Sequence, residues 1–272
     1  MLNLNLYKME IKRFKLSMLI WTIVLCSFIM LDMAFYQVFL KEGMFDKIKP
    51  ILNSPIMAPM VKGFGVEFEK LTNVLGFYVI RNVPIIMLLT GIFSILNGTT
   101  IFANEEFEKT AEFLYTKPLT RTDIFISKSL TCFTLTTIIN ICVVIIGFVS
   151  LEIFKNSEYS RTTYFIHTIF GFLFSYLFAA AGFTLAVIAK RGRGLFPISV
   201  GIVLGTYFLD LISKTTKSAE FLGYISPFEY VDTNVLVSNY YIHTSNLLFF
   251  LLTTLILFII SFRIFLKKDI LN

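Results

Sequence analysis

Six apolar runs constrain this chain more than any other feature. They lie at about residues 17–40, 77–103, 124–151, 162–189, 195–213 and 246–266. Each is about as long as the ~20-residue helix that crosses the hydrocarbon core of a bilayer, or longer. A composition of 56% hydrophobic and 15% charged residues is also untypical of a soluble domain. The sequence therefore predicts an all-α integral membrane protein whose residues 1–272 form one domain of six transmembrane helices.

The distribution of basic residues predicts the orientation of these spans. Fourteen of the 24 Lys and Arg residues, with seven acids, lie in the N-terminal segment, around the connection between spans two and three, in the tight loop 190–194 and at the C-terminal end. The opposite side contains the longer loops 41–76 and 214–245. The positive-inside rule places the basic side in the cytoplasm. We predict a multi-pass protein of the cell membrane with both termini in the cytosol, and the net charge of +6 then needs no nucleic-acid partner.

Residues 2–15 precede the first span and have two distinct faces. The apolar face carries Leu4, Tyr7, Ile11 and Phe14, and the basic face carries Lys8, Lys12 and Lys15. This pattern predicts an amphipathic interfacial helix with its apolar side in the lipid and its basic side toward anionic headgroups. An ordinary positively charged flank of the first span is the alternative.

The first two predicted spans each contain one charged residue. Asp32 lies 8 residues before the outer end of the first span, and Arg81 lies about 4 residues into the second span from the same side. Charges at such depth are costly and usually serve a function. We hypothesise that Asp32 and Arg81 form an intramembrane ion pair. The alternative is that Asp32 lines a water-filled path.

The connection between spans two and three, from Asn104 to Arg121, is a strongly polar segment with the sequence NEEFEKTAEFLYTKPLTR. Asn104 is a candidate N-cap, and the acidic residues that follow it suit the first turn of a helix. Pro118 predicts the end of this short helix. Thr120 or Asp123 is expected to cap the next one. A solvated loop helix is the plain interpretation of this segment.

The chain shows no pattern that predicts a catalytic or metal site. His167 and His243 are both expected at the outer membrane boundary, each without a second ligand at i+3 or i+4, so they are better explained as surface or interface residues. Glu105 and Glu106 resemble the acidic pair of an intramembrane protease, but Thr110 stands nearby where a basic partner is needed, and both histidines are expected on the far side. No Gly-Lys dipeptide is present, which excludes a phosphate-binding loop of the GxxxxGK type. We expect ATP, if it is used, to bind another chain.

The connection between spans two and three resembles the cytosolic loop of ABC-2-type transporter permeases. In that family an acidic residue is followed by a Gly-Thr-x-Glu-like helix, a leucine pair, a Pro, a small or polar residue, an Arg and later a Lys. The corresponding residues here are Glu105 or Glu106, Thr110, Glu112, Phe113-Leu114, Pro118-Leu119-Thr120-Arg121 and Lys128. Lys109 replaces the usual Gly, and Phe113 replaces one leucine. The six spans, the N-terminal helix, the long first outer loop and a Ser-Pro pair before the last span also look like that family.

This resemblance implies the permease subunit of an ATP-driven exporter. Two copies, or this chain and a paralogue, would form the pathway in the lipid, and two cytosolic ABC ATPase subunits would bind Mg-ATP and drive it. A coupling helix at 105–115 would dock on the ATPase. The implied ATPase-coupling residues are Glu105, Glu106, Phe107, Glu108, Thr110, Ala111, Glu112, Phe113, Leu114, Pro118 and Arg121.

The spans are rich in Phe and Leu and contain few charges, which favours an amphipathic peptide, a drug or a lipid-like molecule as cargo. Two alternatives belong to other classes. One is a non-transporting membrane scaffold or sensor that binds an ATPase in a resistance system, and the other is an intramembrane enzyme.

Overall fold

The computed structural model describes residues 3–41, 50, 54, 71, 73–107, 119–156, 158–189, 194–232, 235 and 240–268, and these contain helices but no strands. Six long helices dominate. They are α1 (Leu4–Lys41), α2 (Val74–Phe77, a π-helical turn Tyr78–Asn82, then Val83–Phe107), α3 (Arg121–Phe154), α4 (Arg161–Ile188), α5 (Leu195–Thr215) and α6 (Thr244–Lys267).

All six helices are long and apolar enough to cross a membrane. Each contains one of the six predicted apolar runs, with only the residue after α4, Ala189, falling outside, so the prediction of a six-helix, multi-pass membrane protein is confirmed. Apart from the start of α1, the ends differ by at most four residues, because polar residues at a span boundary continue the backbone hydrogen bonding of the helix beyond the apolar run.

The first helix is a single 38-residue element. At about 1.5 Å per residue it is about 57 Å long, well beyond the ~30 Å core of a bilayer. Residues 4–15 are therefore the beginning of α1, and no break separates an interfacial helix from the first span. Whether this part of α1 lies at the lipid headgroups stays a prediction.

The second helix begins with a capped turn and a π-helical turn that the sequence pattern did not indicate. The side chain of Asn73 accepts hydrogen bonds from the backbone N–H of Leu75 at 2.9 Å and of Gly76 at 3.4 Å. The π-helical turn over Tyr78–Asn82 follows directly. Such turns inside α-helices occur frequently at functional sites, and this one contains Arg81.

The boundary after α2 corrects one prediction. Asn104 is not an N-cap, because α2 continues through it to Phe107. The start of α3 is as expected: the Thr120 side chain accepts from the backbone N–H of Asp123 at 3.1 Å, and the Asp123 carboxylate accepts from the backbone N–H of Thr120 at 3.2 Å. This reciprocal capping box fixes where the chain enters α3.

The helices pack around a central pair. α2 lies along α4, α1 lies along α3, α6 packs on α4, and α5 packs on α2 and on the 3-10 helix Lys217–Ile225. The α2–α4 contact depends on Gly98 and Gly182, since a Cβ at Gly98 would lie 2.5 Å from the Ala179 carbonyl oxygen and a Cβ at Gly182 would collide with the Ile95 carbonyl oxygen. The pair Gly201 and Gly205, which forms a GxxxG pattern, faces open space instead.

The bundle has two ends, which we name by what lies there. The connector end holds Asn3, the ends of α2, α4 and α6, and the starts of α3 and α5. The loop end holds the connection 155–160 and the described parts of 216–243. An aromatic cluster supports the connector end: buried Phe125 lies 5.1 Å from Phe102, 5.2 Å from Phe262 and 5.5 Å from Phe265, measured between ring centroids.

Candidate functional site at the connector end

The predicted ATPase-coupling residues fall into two groups. The backbones of Glu105, Glu106 and Phe107 form the last turn of α2. Residues 108–118 lie outside the described residues, and they include Glu108, Thr110, Ala111, Glu112, Phe113, Leu114 and Pro118. Docking of this segment on an ATPase therefore stays a prediction, as do the roles of its side chains.

Arg121, the last residue of the predicted coupling set, contacts the end of another span. Its Nη1 donates to the backbone carbonyl of Leu266 at 3.1 Å and to that of Lys268. The last carbonyls of a helix have no partners within the helix and carry the negative end of its dipole. The Arg121 guanidinium donates hydrogen bonds to these carbonyls and places a positive charge at the negative end of the dipole. It also joins the start of α3 to the end of α6.

Lys268 repeats this arrangement on the neighbouring helix. It is the residue that follows α6, and its Nζ donates to the carbonyl oxygens of Ala189 at 3.0 Å and Ala186 at 3.4 Å, at the end of α4. The ends of α4 and α6 are therefore each bound by a cation from another helix. In the sequence, Lys268 is distinguished only as one of the basic residues of the predicted cytosolic side.

Lys128 is a third cation at this end, and its side chain is only 2% exposed. Its Nζ donates to the carbonyl oxygen of Ile101 in α2, lies 3.6 Å from Oε1 of Glu10 in α1, and lies 5.7 Å from the centre of the Phe102 ring. Lys128 therefore ties α1 and α2 to α3. A lysine inside an apolar run signals that a partner is needed, but only the structure identifies Glu10 and the Ile101 carbonyl as its partners.

The start of α1 lies against α3. Ser127 Oγ accepts from the backbone N–H of Asn3 at 3.0 Å, and the Tyr7 hydroxyl donates to Thr134 Oγ1 at 3.1 Å. Leu6 is buried, whereas Leu4 is 59% exposed. Leu6 and Glu10 therefore lie on the face that packs on the bundle, and contact of the predicted apolar face with lipid stays a prediction.

The two residues of the hypothesised intramembrane pair, Asp32 and Arg81, lie in contact toward the loop end. Arg81 Nε donates to Asp32 Oδ1 at 2.7 Å, and the side chain of Asn82 donates to Asp32 Oδ2 at 3.0 Å. The π-helical turn presents both donors to the same carboxylate. The Asp32 side chain is 7% exposed and that of Arg81 is 46% exposed, so the carboxylate is the buried partner. The role of the pair in transport stays a prediction.

The loop end contains carboxylates that gather nearby cations. Glu152 accepts from Arg161 Nε at 2.7 Å, from Tyr159 Oη at 2.9 Å and from Lys155 Nζ at 3.0 Å. Burial, followed by the hydrogen bond to Glu152, raises the pKa of Tyr159 to about 12.

A second carboxylate group lies beside the 3-10 helix. Asp210 Oδ2 lies 2.8 Å from Lys214 Nζ, and Glu229 Oε2 lies 3.8 Å from the same nitrogen. His167, expected at a surface or interface, is buried, and its Nε2 lies 2.9 Å from the Asp232 carbonyl oxygen. Within the described ranges, no group of three or more His, Cys, Asp or Glu side chains is placed to hold a metal ion.

Six long apolar helices, joined by buried polar contacts at one end, define a multi-pass membrane protein of the helical-bundle class. A comparison with protein families adds the particular family: the model described as ABC-2 family transporter protein matches residues 4–270. The chain belongs to this family, and it is a transmembrane permease component of an ABC transporter. Membership implies association with an ABC ATPase partner. A comparison with curated proteins finds no match.

Proposed function

We propose that this chain is the permease subunit of an ATP-driven exporter, and that residues 105–115 form its coupling helix. The observation that carries the proposal is the family match over residues 4–270, together with six helices long enough to cross a membrane. The chain carries no phosphate-binding loop of the GxxxxGK type, so ATP hydrolysis is assigned to two separate cytosolic ABC ATPase subunits.

The position of the coupling segment supports this assignment. It connects α2 to α3 at the connector end, where the positive-inside rule predicts the cytosol. A short helix that offers Phe107, Ala111 and Leu114 to an apolar groove, with acids around it to set the register, is a common mode of recognition. Because α2 ends at Phe107 and α3 begins at Arg121, the segment is joined closely to two spans of the bundle.

A second permease chain is part of the proposal, either a second copy or a paralogue. The outward side of α5 supports its placement there. Phe196, Ile198 and Phe208 are more than half exposed. A Cβ at Gly201 or Gly205 would meet nothing within 4 Å, so the backbone of another helix could approach closely.

The exposed surfaces of the spans are largely apolar, which agrees with a cargo that is itself partly apolar. We therefore propose an amphipathic peptide, a drug or a lipid-like molecule as the substrate class. The alternative is a scaffold or sensor that binds an ATPase without transporting. The effect of substrate on ATP hydrolysis by the bound ATPase distinguishes it from a transporter. A transporter shows substrate-stimulated hydrolysis, and a scaffold does not.

The test is an affinity pull-down of the tagged chain from its own membranes in mild detergent, with mass spectrometry of the captured proteins. The native chain is compared with the double variant Glu112→Lys/Leu114→Asp. The matched control is Glu220→Lys/Phe221→Asp, which makes the same changes of charge at exposed residues of the loop end.

We expect an ABC ATPase to accompany the native chain and the control and to be lost from the Glu112→Lys/Leu114→Asp variant. Capture of the ATPase by both variants would show that the segment is not the docking site. Absence of an ATPase from every sample, under conditions that keep other membrane complexes intact, would contradict the exporter function.

A further inference from the structure

The ends of α6 and α4 are linked in series to the first residue of α3. Arg121 donates to the carbonyls of Leu266 and Lys268, and the ammonium of Lys268 donates in turn to the carbonyls of Ala186 and Ala189. Each cation therefore binds the C-terminal end of a helix other than its own. The spans α3, α4 and α6 therefore meet through two side chains.

We propose that Arg121 and Lys268 are positioning residues that transmit movement of the connection between α2 and α3 to α6 and α4. This inference rests on the proposed function, because the movement is ascribed to the ATPase. It assigns Arg121 a role inside the permease, in place of the direct ATPase contact that the family resemblance implies.

The geometry favours transmission at this point. Arg121 follows Thr120, whose capping box holds the backbone at the start of α3 in a defined direction. A displacement of the preceding segment therefore moves the Arg121 backbone together with α3. The guanidinium binds two carbonyls at once, and charge-assisted hydrogen bonds of this kind are among the stronger polar contacts in proteins.

The order of the contacts predicts an asymmetry. Arg121 contacts the α6 end directly and reaches the α4 end only through Lys268. Removing the Arg121 guanidinium should therefore loosen the ends of both α6 and α4. Removing the Lys268 ammonium should loosen the end of α4 alone, because the Lys268 carbonyl still accepts from Arg121.

Hydrogen exchange of the full-length chain in lipid nanodiscs tests this order without any partner. The variants are Arg121→Gln and Lys268→Gln. The matched controls are Arg263→Gln and Lys267→Gln, whose side chains are exposed on the last turns of α6. The measured quantities are the exchange rates of the amides in the last turn of α6 and in the last turn of α4.

We expect Arg121→Gln to speed exchange at both ends by about tenfold, the effect of losing one or two charge-assisted hydrogen bonds. Lys268→Gln should speed exchange at the α4 end only, and the controls should change neither end. Equal effects of the two variants at both ends, or no effect of Arg121→Gln at the α4 end, would overturn the serial linkage.

Mg-ATP added to the complex captured in the pull-down tests transmission. We expect ATP to change exchange at the α4 and α6 ends in the native complex, and this change to be lost in Arg121→Gln although the ATPase is still captured. An ATP-dependent change that persists in Arg121→Gln, or that is absent from the native complex, would overturn the inference. Loss of the ATPase from Arg121→Gln would show that Arg121 contacts the partner directly and would also overturn it.

If no ATPase is captured by any chain, the proposed function fails, and with it the source of the movement. The partner-free exchange experiment still decides whether Arg121 and Lys268 link the three helices. The two failures are therefore distinguishable.

Discussion

The connector end and the loop end of the bundle use charge in different ways. At the connector end, the cations Arg121, Lys128 and Lys268 donate to backbone carbonyls that lie 27 to 147 residues away in sequence. At the loop end, Glu152 and Asp210 bind cations that lie three to nine residues away. Charge at the connector end joins helices through contacts distant in sequence, whereas Glu152 and Asp210 bind cations on their own helix or on the helix or loop that follows directly.

This difference follows from burial. The Lys128 side chain is 2% exposed and is held between three helices, so its removal changes the packing of the spans. The Arg161 side chain is 56% exposed and can exchange its contact with Glu152 for water. A buried ion that loses its partner is strongly destabilising, whereas exposed ion pairs contribute little. Variants that remove a charge at the connector end should therefore lower the free energy of unfolding more than variants at the loop end.

The largest effect is expected at Lys128. Lys128→Met leaves the Glu10 carboxylate buried without the ammonium that lies 3.6 Å away. We expect the free energy of unfolding to fall by about 3–5 kcal/mol, measured by thermal or denaturant unfolding in lipid nanodiscs. The exposed residue Lys8 provides the control, and Lys8→Met should change stability by less than about 0.5 kcal/mol.

The double variant Lys128→Met/Glu10→Leu separates charge from packing. Replacing both partners by apolar residues should recover much of the lost stability, because neither charge of the pair then remains buried. A double variant as unstable as Lys128→Met would show that the contact with the Ile101 carbonyl, not the pair with Glu10, is decisive.

A substitution at the crossing of α2 and α4 tests whether the two ends of the bundle are coupled. Gly182→Ala forces α2 and α4 apart, because the new Cβ would collide with the Ile95 carbonyl oxygen and lie 2.9 Å from the backbone nitrogen of Thr99. We expect a loss of stability of about 3 kcal/mol, with faster hydrogen exchange at both ends of the bundle. Gly201→Ala is the control, and it should be neutral in the monomer. An effect of Gly182→Ala confined to one end would show that the ends are not coupled through the central pair.

An intermediate loss of stability is expected for variants of the Asp32–Arg81 pair, because the pair joins two spans but only Asp32 is buried. Arg81→Gln removes a cation from a carboxylate that is 7% exposed, and we expect a loss of about 2 kcal/mol. Asp32→Asn leaves a half-exposed guanidinium close to the start of α2, from where a long side chain can extend toward the membrane surface, and we expect about 1 kcal/mol. Unfolding in nanodiscs measures both, and the reverse order would contradict the assignment of the carboxylate as the buried partner.

Transport assays of the same two variants separate the structural pair from a water-filled path. If Asp32→Asn abolishes transport while folding and assembly stay intact, and Arg81→Gln does not, then Asp32 lines a path and the pair is not its main role.

The smallest effect is expected at the loop end, at Glu229. Burial raises the pKa of this carboxyl, and the charge of nearby Asp210 raises it further, against the lowering effect of Lys214. Between the ordinary value of 4.5 and the raised value, the folded chain binds more protons than the unfolded chain, so stability falls as the pH rises through this window. Glu229→Gln should therefore raise the melting temperature slightly at about pH 7 and lose this gain at about pH 4.

Glu220→Gln is the matched control, because Glu220 is an exposed glutamate on the 3-10 helix Lys217–Ile225 of the same loop end. Glu220→Gln should change the melting temperature at about pH 7 by less than Glu229→Gln does, because surface substitutions usually have small effects. A Glu229→Gln variant that is less stable than the native chain at about pH 7 would mean that the contact with Lys214 outweighs burial.

The sequence by itself determined the six spans, because the length of an apolar run and the thickness of a bilayer are both known without a fold. It also indicated the start of α3, since the capping box of Thr120 and Asp123 is local. The contact of Asp32 with Arg81 could be proposed because both residues are costly inside a span and lie at similar depth.

Only the tertiary structure decided which helices meet and through which atoms. Gly201 and Gly205 form the GxxxG pattern that the sequence shows, but the close crossing within this chain is made by Gly98 and Gly182, because a glycine matters only where a neighbouring backbone approaches it. The partners of Lys128, Arg121 and Lys268 are mainly backbone carbonyls, which every residue possesses and no sequence pattern marks. Such contacts depend on how helix ends are arranged in space, and this arrangement is set by the packing of the whole bundle.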